Sequence, residues 1–126
     1  MITEDFLMRQ IEIIARTLAK LIFNKETSEY VIADYQILTE VDTVYRQLLK
    51  LIDEGKINEA ENLLFEKIDL EFEENPANNY YLEIAIDFYS RLNNLSNKTL
   101  EDCGFDREEI DEGIREVADI YNISII

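Results

Sequence analysis

Apolar residues recur every three or four positions along almost the whole chain, the spacing of one face of an α-helix. Leu7, Ile11, Ile14, Leu18, Leu21 and Ile22 mark the stripe of a first helix. Thr3 stands where its side chain can cap the first turn, and Ile2 and Leu7 are spaced as a hydrophobic staple. Phe6 and Ile13 lie on the flank of the stripe. The apolar arc therefore covers roughly half the circumference, more than a surface helix needs. Either this helix is central in the fold, or its extra face meets another chain.

The pattern breaks at Asn24-Lys25-Glu26-Thr27-Ser28 and then loses a clean period through Tyr30, Val31, Ile32, Tyr35, Ile37 and Leu38. Residues 24–38 read as an irregular or short helical connection folded onto the core, with a brief strand as the alternative. A second helix is predicted from Thr39, its cap, to Glu54, with Asp42 at the capping-box position and Val41, Val44, Tyr45, Leu48, Leu51 and Ile52 inward. Gly55 stops it in the left-handed conformation. Asn58 is expected to cap a third helix that buries Leu63, Leu64 and Ile68. So short a turn makes the two helices antiparallel neighbours.

Asn75-Pro76 is expected to open a fourth helix, whose stripe is Tyr80, Tyr81, Ile84, Ala85, Phe88 and Leu92. Leu95, Ser96 and Leu100 predict a short fifth helix ending near Cys103-Gly104. The strongest start signal is Phe105, Asp106, Glu109 and Ile110, at the positions of a staple and a capping box. The helix it opens carries Ile110, Ile114, Val117, Ile120 and Tyr121 and ends at Asn122, and the apolar tail from Ile123 to Ile126 is expected to pack. The reading is an all-α single domain over residues 1–126 with about six helices, arranged as tetratricopeptide-like hairpins, a right-handed bundle or a short solenoid.

Composition narrows the chemistry. At 126 residues and 47% apolar the chain is long enough for one real core. Three Gly and one Pro leave little room for a phosphate-cradling loop. A net charge of −16 argues against nucleic-acid binding, because few cations are present to displace counterions. The absence of histidine removes the commonest general base and most zinc or iron ligand sets. Arg9, Glu12, Arg16 and Lys20 interrupt the apolar segment from Phe6 to Phe23, so no membrane span is expected there. The lone Cys103 and the acidic Glu4 and Asp5, where a secretory signal needs positive charge, point to the cytoplasm. The frequency of Ile and Asn suggests a bacterial source.

Candidate sites are few. Asp106, Glu109 and Glu116 could gather around a metal, but Asp106 and Glu109 are better explained as a cap, and nothing implies a cofactor. Glu101 and Asp102 beside Cys103 oppose thiolate formation. Aromatics on both sides of the fourth helix leave Tyr80 or Tyr89 to line a groove for a partner segment. The candidate partner surface is Phe6, Ile13, Tyr80 and Tyr89, with no catalytic or metal-binding residue assigned.

Gly55-Lys56-Ile57-Asn58-Glu59-Ala60 resembles the turn and second-helix start of a tetratricopeptide repeat, and Tyr81, Ile84, Ala85 and Phe88 resemble the stripe of its first helix. The two units would begin about 37 residues apart, near the repeat's period. Leu48 stands where the first unit wants a small residue, and the second lacks a Gly-Asn turn. The opening segment 5–12, the block from Leu48 to Glu66 and the late Phe105–Ile110 resemble an uncharacterised family of short Firmicutes proteins, over the whole chain. That likeness implies no activity or cofactor. The expectation is a non-catalytic protein-interaction module that binds an unknown protein, or itself as a homodimer through the first helix. The alternatives are an acidic decoy that regulates a nucleic-acid-binding protein, and a carboxylate-based metal binder or enzyme.

Overall fold

Local capping chemistry sets the helix boundaries. In the computed structural model, which describes residues 3–23, 39–74 and 79–123, six helices are present among those residues and no strand. They are α1 (Glu4–Phe23), α2 (Thr39–Asp53), α3 (Ile57–Glu74), α4 (Tyr80–Asn93), α5 (Asn97–Asp102) and α6 (Arg107–Ile120). Thr3 Oγ1 accepts from the Phe6 amide at 3.1 Å, Ser96 caps α5 through the Thr99 amide, and Asp106 and Glu109 close the full capping box of α6. Three helices end alike. Gly55, Gly104 and Asn122 adopt positive φ of 77°, 69° and 57°. In each case the next amide reaches back five residues: Lys56 to the Leu51 carbonyl, Phe105 to Leu100 and Ile123 to Ala118. This is the Schellman closure, which satisfies carbonyls that the helix leaves unpaired.

Two boundaries differ from the sequence reading. α3 begins at Ile57, with the Ala60 amide bonded to the Lys56 carbonyl, so Asn58 lies inside the helix and is not its cap. Ile57 is fully buried, and its place in the core starts the helix directly after the turn. α4 opens at Tyr80, after Asn79, which makes no side-chain cap. The start expected at Asn75-Pro76 lies outside the described residues, as do Ile2, the 24–38 connection and the end of the apolar tail.

α4 is the centre of the fold. It packs against α1, α6, α3 and α2, and α1 also lies along α6. α4 buries Tyr81, Leu82, Ile84, Ala85, Ile86, Asp87, Phe88, Tyr89, Leu92 and Asn93, almost its whole circumference. A helix that is enclosed in this way is apolar all round. The wide arc of α1 therefore does not place α1 at the centre. α1 turns Leu7, Ile11, Ile14, Ala15, Leu18 and Ala19 inward. The small Ala15 and Ala19 rotate the contact face away from Leu21, which was expected in the core and is 66% exposed. On α3, Leu63 is only partly buried, whereas Ile57, Ala60, Leu64 and Ile68 are fully so.

Gly55 joins α2 and α3 in the expected hairpin. α4 is followed not by a second long helix but by the six-residue α5. The first helix resting on the last closes a bundle, whereas repeats in a solenoid touch only their neighbours. Among the described residues, no helix is long and apolar enough to cross a membrane.

Candidate interaction surface

Successive residues of an α-helix turn by about 100°, so Phe6 and Ile13 fall within about 20° of each other on the side of α1 opposite its contacts with α4 and α6, while Leu21 lies about 60–80° round from them, on the flank beside Ile14. They are 50%, 57% and 66% exposed. The exposed Arg9, Arg16 and Lys20 lie between Ile13 and the exposed carboxylates of Asp5 and Glu12, with Glu12 paired to Arg16 at 2.7 Å, and the half-buried Gln10 and Thr17 lie between Phe6 and Leu21. Phe6 to Leu21 spans about 22 Å along the axis, from 15 steps of 1.5 Å. Sequence reasoning found Phe6 and Ile13 but assigned Leu21 to the core.

The other two expected surface residues part company. Tyr80, at the first position of α4, is 40% exposed. Tyr89 has no exposure at all, so it lines no groove; the premise that aromatics on both sides of α4 cannot all be inward fails because α4 is enclosed. Tyr89 reaches across Gly113, where a Cβ would overlap its ring, and its hydroxyl donates to Glu61 Oε2 at 2.6 Å. Phe6 and Ile13 lie on α1 and Tyr80 on α4, and the four candidates do not form one patch.

Tyr89 sits behind a groove of about 420 Å³ between α3 and α6, lined by Glu61, Asn62, Phe65, Glu109, Glu112, Gly113 and Glu116. Burial pushes the Glu61 carboxyl above its ordinary range; the Tyr89 hydrogen bond opposes that shift, and the charges of Glu109, Glu116 and Glu112 reinforce it. Burial and the Glu61 charge push the Tyr89 hydroxyl far above the usual tyrosine range, so it stays a proton donor. Asp106 and Glu109 are held in their capping box. Among the described residues, no three ligating side chains meet as a metal site requires.

The other buried polar groups tie helices together. Arg107 is almost fully buried and uses five hydrogen bonds. Its Nε donates to Glu4 (3.0 Å), Nη1 to the carbonyl and side chain of Asn93 (2.6 and 3.0 Å), and Nη2 to the Leu95 carbonyl and Asn97 (2.9 and 2.8 Å). Five is the full donor capacity of a guanidinium. One residue thus joins the start of α1, the end of α4, the start of α5 and the start of α6. Asn93 extends the link by donating to the Met8 carbonyl at 2.9 Å.

Glu71, in the last turn of α3, accepts the Tyr81 amide at 3.3 Å and so supplies the cap that α4 lacks. Its carboxyl is raised by burial and lowered again by the amides it accepts and by the Tyr121 hydroxyl. Between α2 and α4, Arg91 donates to Asp87 at 2.7 Å and to the Tyr45 hydroxyl at 2.7 Å through Nη2. Burial, then the Asp87 charge, raise Tyr45 to about 12, so its hydroxyl is no base near neutrality. Cys103 is half-buried at the C-cap of α5.

No curated protein and no solved structure matches the chain. Residues 1–122 match the family of unknown function DUF6483. The capped helices, the buried arginine and the outward side of α1 are thus features of a chain that belongs to the DUF6483 family.

Proposed function

We propose that this protein is a non-catalytic protein-binding module whose working surface is the outward side of α1. The observation that carries the reading is the exposure of Phe6 and Ile13 on the outward side of α1 and of Leu21 on its flank, on a helix whose opposite side is fixed against α4 and α6. Apolar side chains exposed in this way stabilise a complex when a partner covers them, by about 25 cal/mol per Å² removed from water. The buried polar clusters support the same reading. Arg107, Glu71 and Arg91 spend their polar atoms on helix-to-helix bonds and present no nucleophile or base to solvent. The tetratricopeptide likeness of the Gly55 hairpin supports it by analogy alone. An interaction role through a helix face also fits a cytoplasmic protein with a single free cysteine.

The test compares the wild-type chain with the variant Ile13→Asp/Leu21→Asp. Light scattering reads self-association, and affinity capture from a bacterial lysate reads partners. The reading expects at least one of these to be lost in the variant. It fails if the wild type is monomeric and both chains capture the same proteins.

A further inference from the structure

α1 is balanced in charge where the chain is not. The whole sequence has 28 acidic and 12 basic side chains, whereas α1 holds three of each. The other long helices with open sides are acidic: α3 has seven carboxylates to one base, and α6 six to two. At about 100° per residue, Glu12, Asp5, Arg16 and Arg9 follow one another within about 60° along one flank of α1, beside Ile13 and Phe6. All six are exposed. Glu12 meets Arg16 at 2.7 Å within the helix, but that pair is largely exposed, and such pairs are worth little in water. Asp5 and Arg9 make no ion pair among the described residues. The opposite flank, through Gln10 and Thr17, is uncharged.

We propose, resting on the interaction reading above, that the partner of this side is α1 of a second copy, laid antiparallel across it. In a two-fold pair, a residue that meets a second residue of the partner is met by that same residue in return. The charged flank has the order such a pair requires. Turned end for end about the point midway between Gln10 and Ile11, the helix puts Arg16 where Asp5 stood and Glu12 where Arg9 stood. Phe6 then falls two positions, about 3 Å along the axis, from Ile13, a gap that their side chains span. One docking thus sets Phe6 of each copy against Ile13 of the other. It also lines the same edge with the pairs Asp5–Arg16 and Arg9–Glu12, each made twice. A parallel pair would set the charged flank against the uncharged one, so only the antiparallel pair brings these four charges together. Elsewhere the excess of carboxylates makes the approach of two copies repulsive, and like charges across an interface select against a docking. Leu21 lies beyond the paired stretch and takes no part in it.

The test uses the full chain, with dimerisation read by sedimentation and light scattering over a range of concentrations. The wild type is expected to dimerise reversibly. Arg9→Glu/Arg16→Glu makes the flank acidic throughout, and Asp5→Lys/Glu12→Lys makes it basic throughout. Each variant alone should dimerise at least tenfold more weakly than the wild type, with the helical circular dichroism unchanged. An equimolar mixture of the two should restore a dimer, and native mass spectrometry should show one chain of each kind in it. Ile13→Asp should abolish the dimer, whereas Leu21→Asp should leave it intact. A dimer that survives in both charge variants alone, a mixture that stays monomeric, or a dimer lost on Leu21→Asp overturns the proposal. A wild type that is monomeric at every concentration also overturns it. The capture experiment above then decides separately on the interaction reading: proteins lost with Ile13→Asp/Leu21→Asp keep that reading and assign this side of α1 to a different partner.

Discussion

Replacing Gly113 with alanine should destabilise the protein, against the preference of the helix that contains it. Gly113 lies inside α6 and its backbone needs no left-handed conformation. On helix propensity alone the alanine would gain about 1 kcal/mol. Its Cβ, however, would fall on the hydroxyl, Cζ and Cε1 of Tyr89. That ring cannot swing aside. It is fully buried, its hydroxyl is bonded to Glu61 at 2.6 Å, and it stands edge-on to Phe88 at 5.0 Å. Overpacking a tight core costs about 1–3 kcal/mol, and a ring held at both ends belongs at the top of that range. Subtracting the propensity gain leaves a net loss of about 1–2 kcal/mol. For a domain of this size that is a fall in Tm of about 3–10 °C. Urea unfolding followed by circular dichroism should show a lower midpoint with an unchanged slope. Combining Gly113→Ala with Tyr89→Leu should recover most of the clash, giving a coupling energy of about 1 kcal/mol or more. A Gly113→Ala protein as stable as the wild type, or costs that simply add in the double variant, would refute the placement of Tyr89.

Three further outcomes follow from the same contacts. Arg107→Lys replaces five donors with three, so at least two buried acceptors lose their partners; urea unfolding should show a loss of about 2–5 kcal/mol, at about 1–3 per orphaned group. Ile13→Ala should change stability by less than about 0.5 kcal/mol, whereas Ile14→Ala, one position on and buried, should cost about 2–4; equal effects would contradict the orientation of α1. Glu61 has a raised carboxyl pKa in the folded state, so the fold binds its proton more tightly than the unfolded chain does. Glu61 therefore costs nothing below its ordinary value of 4.5, and its cost appears as pH rises from there through the raised value. Glu61→Gln, whose amide oxygen can still accept from Tyr89, should raise the melting temperature at pH 7, by an amount worth under about 1 kcal/mol because the groove is open to water. That advantage should vanish below about pH 4.

What was legible in the sequence is what local chemistry decides. Thr3, Ser96 and the Asp106/Glu109 pair cap the helices they were expected to cap, because a cap is an interaction between residues three apart. Gly55 and Asn122 end theirs because few residues tolerate positive φ. The departures are tertiary. Ile57 starts α3 because the core takes its side chain, which overrides the better capping side chain of Asn58. Leu21 and Tyr89 exchange their expected places for one reason: periodicity gives the width of an apolar arc but not its rotation or the number of neighbours around it. With α4 enclosed on most sides, Tyr89 goes inside. With α1 held on one side by small alanines, Leu21 stays out. The candidate surface was thus legible as the flank of α1, through Phe6 and Ile13, and was blurred where it depended on how helices pack.

Arg107 and Glu71 escaped the sequence reading, yet each left a signal. A basic residue opening a helix, or an acidic one closing it, opposes the helix dipole and costs a few tenths of a kcal/mol to about 1. Arg107 opens α6, and Glu71 lies in the final turns of α3, where no basic residue stands. Both are buried, and each is compensated by a different helix: Arg107 by the C-terminal carbonyls around Asn93 and Leu95, Glu71 by the N-terminal amides of α4. The misplaced charge on one helix is the well-placed charge on its neighbour. Glu73 and Glu74 also oppose the dipole of α3 but stay exposed, where water screens the penalty. The dipole mismatch therefore marks a tertiary contact only in combination with burial. The same logic separates the two sides of α1. Its buried side is fixed by packing and by the Arg107–Glu4 bond, whereas Arg9 and Lys20 on its outward side are compensated by nothing among the described residues. Arg16 is compensated within α1 by Glu12 at 2.7 Å, so Arg9 and Lys20 are the basic charges of this helix that packing does not account for.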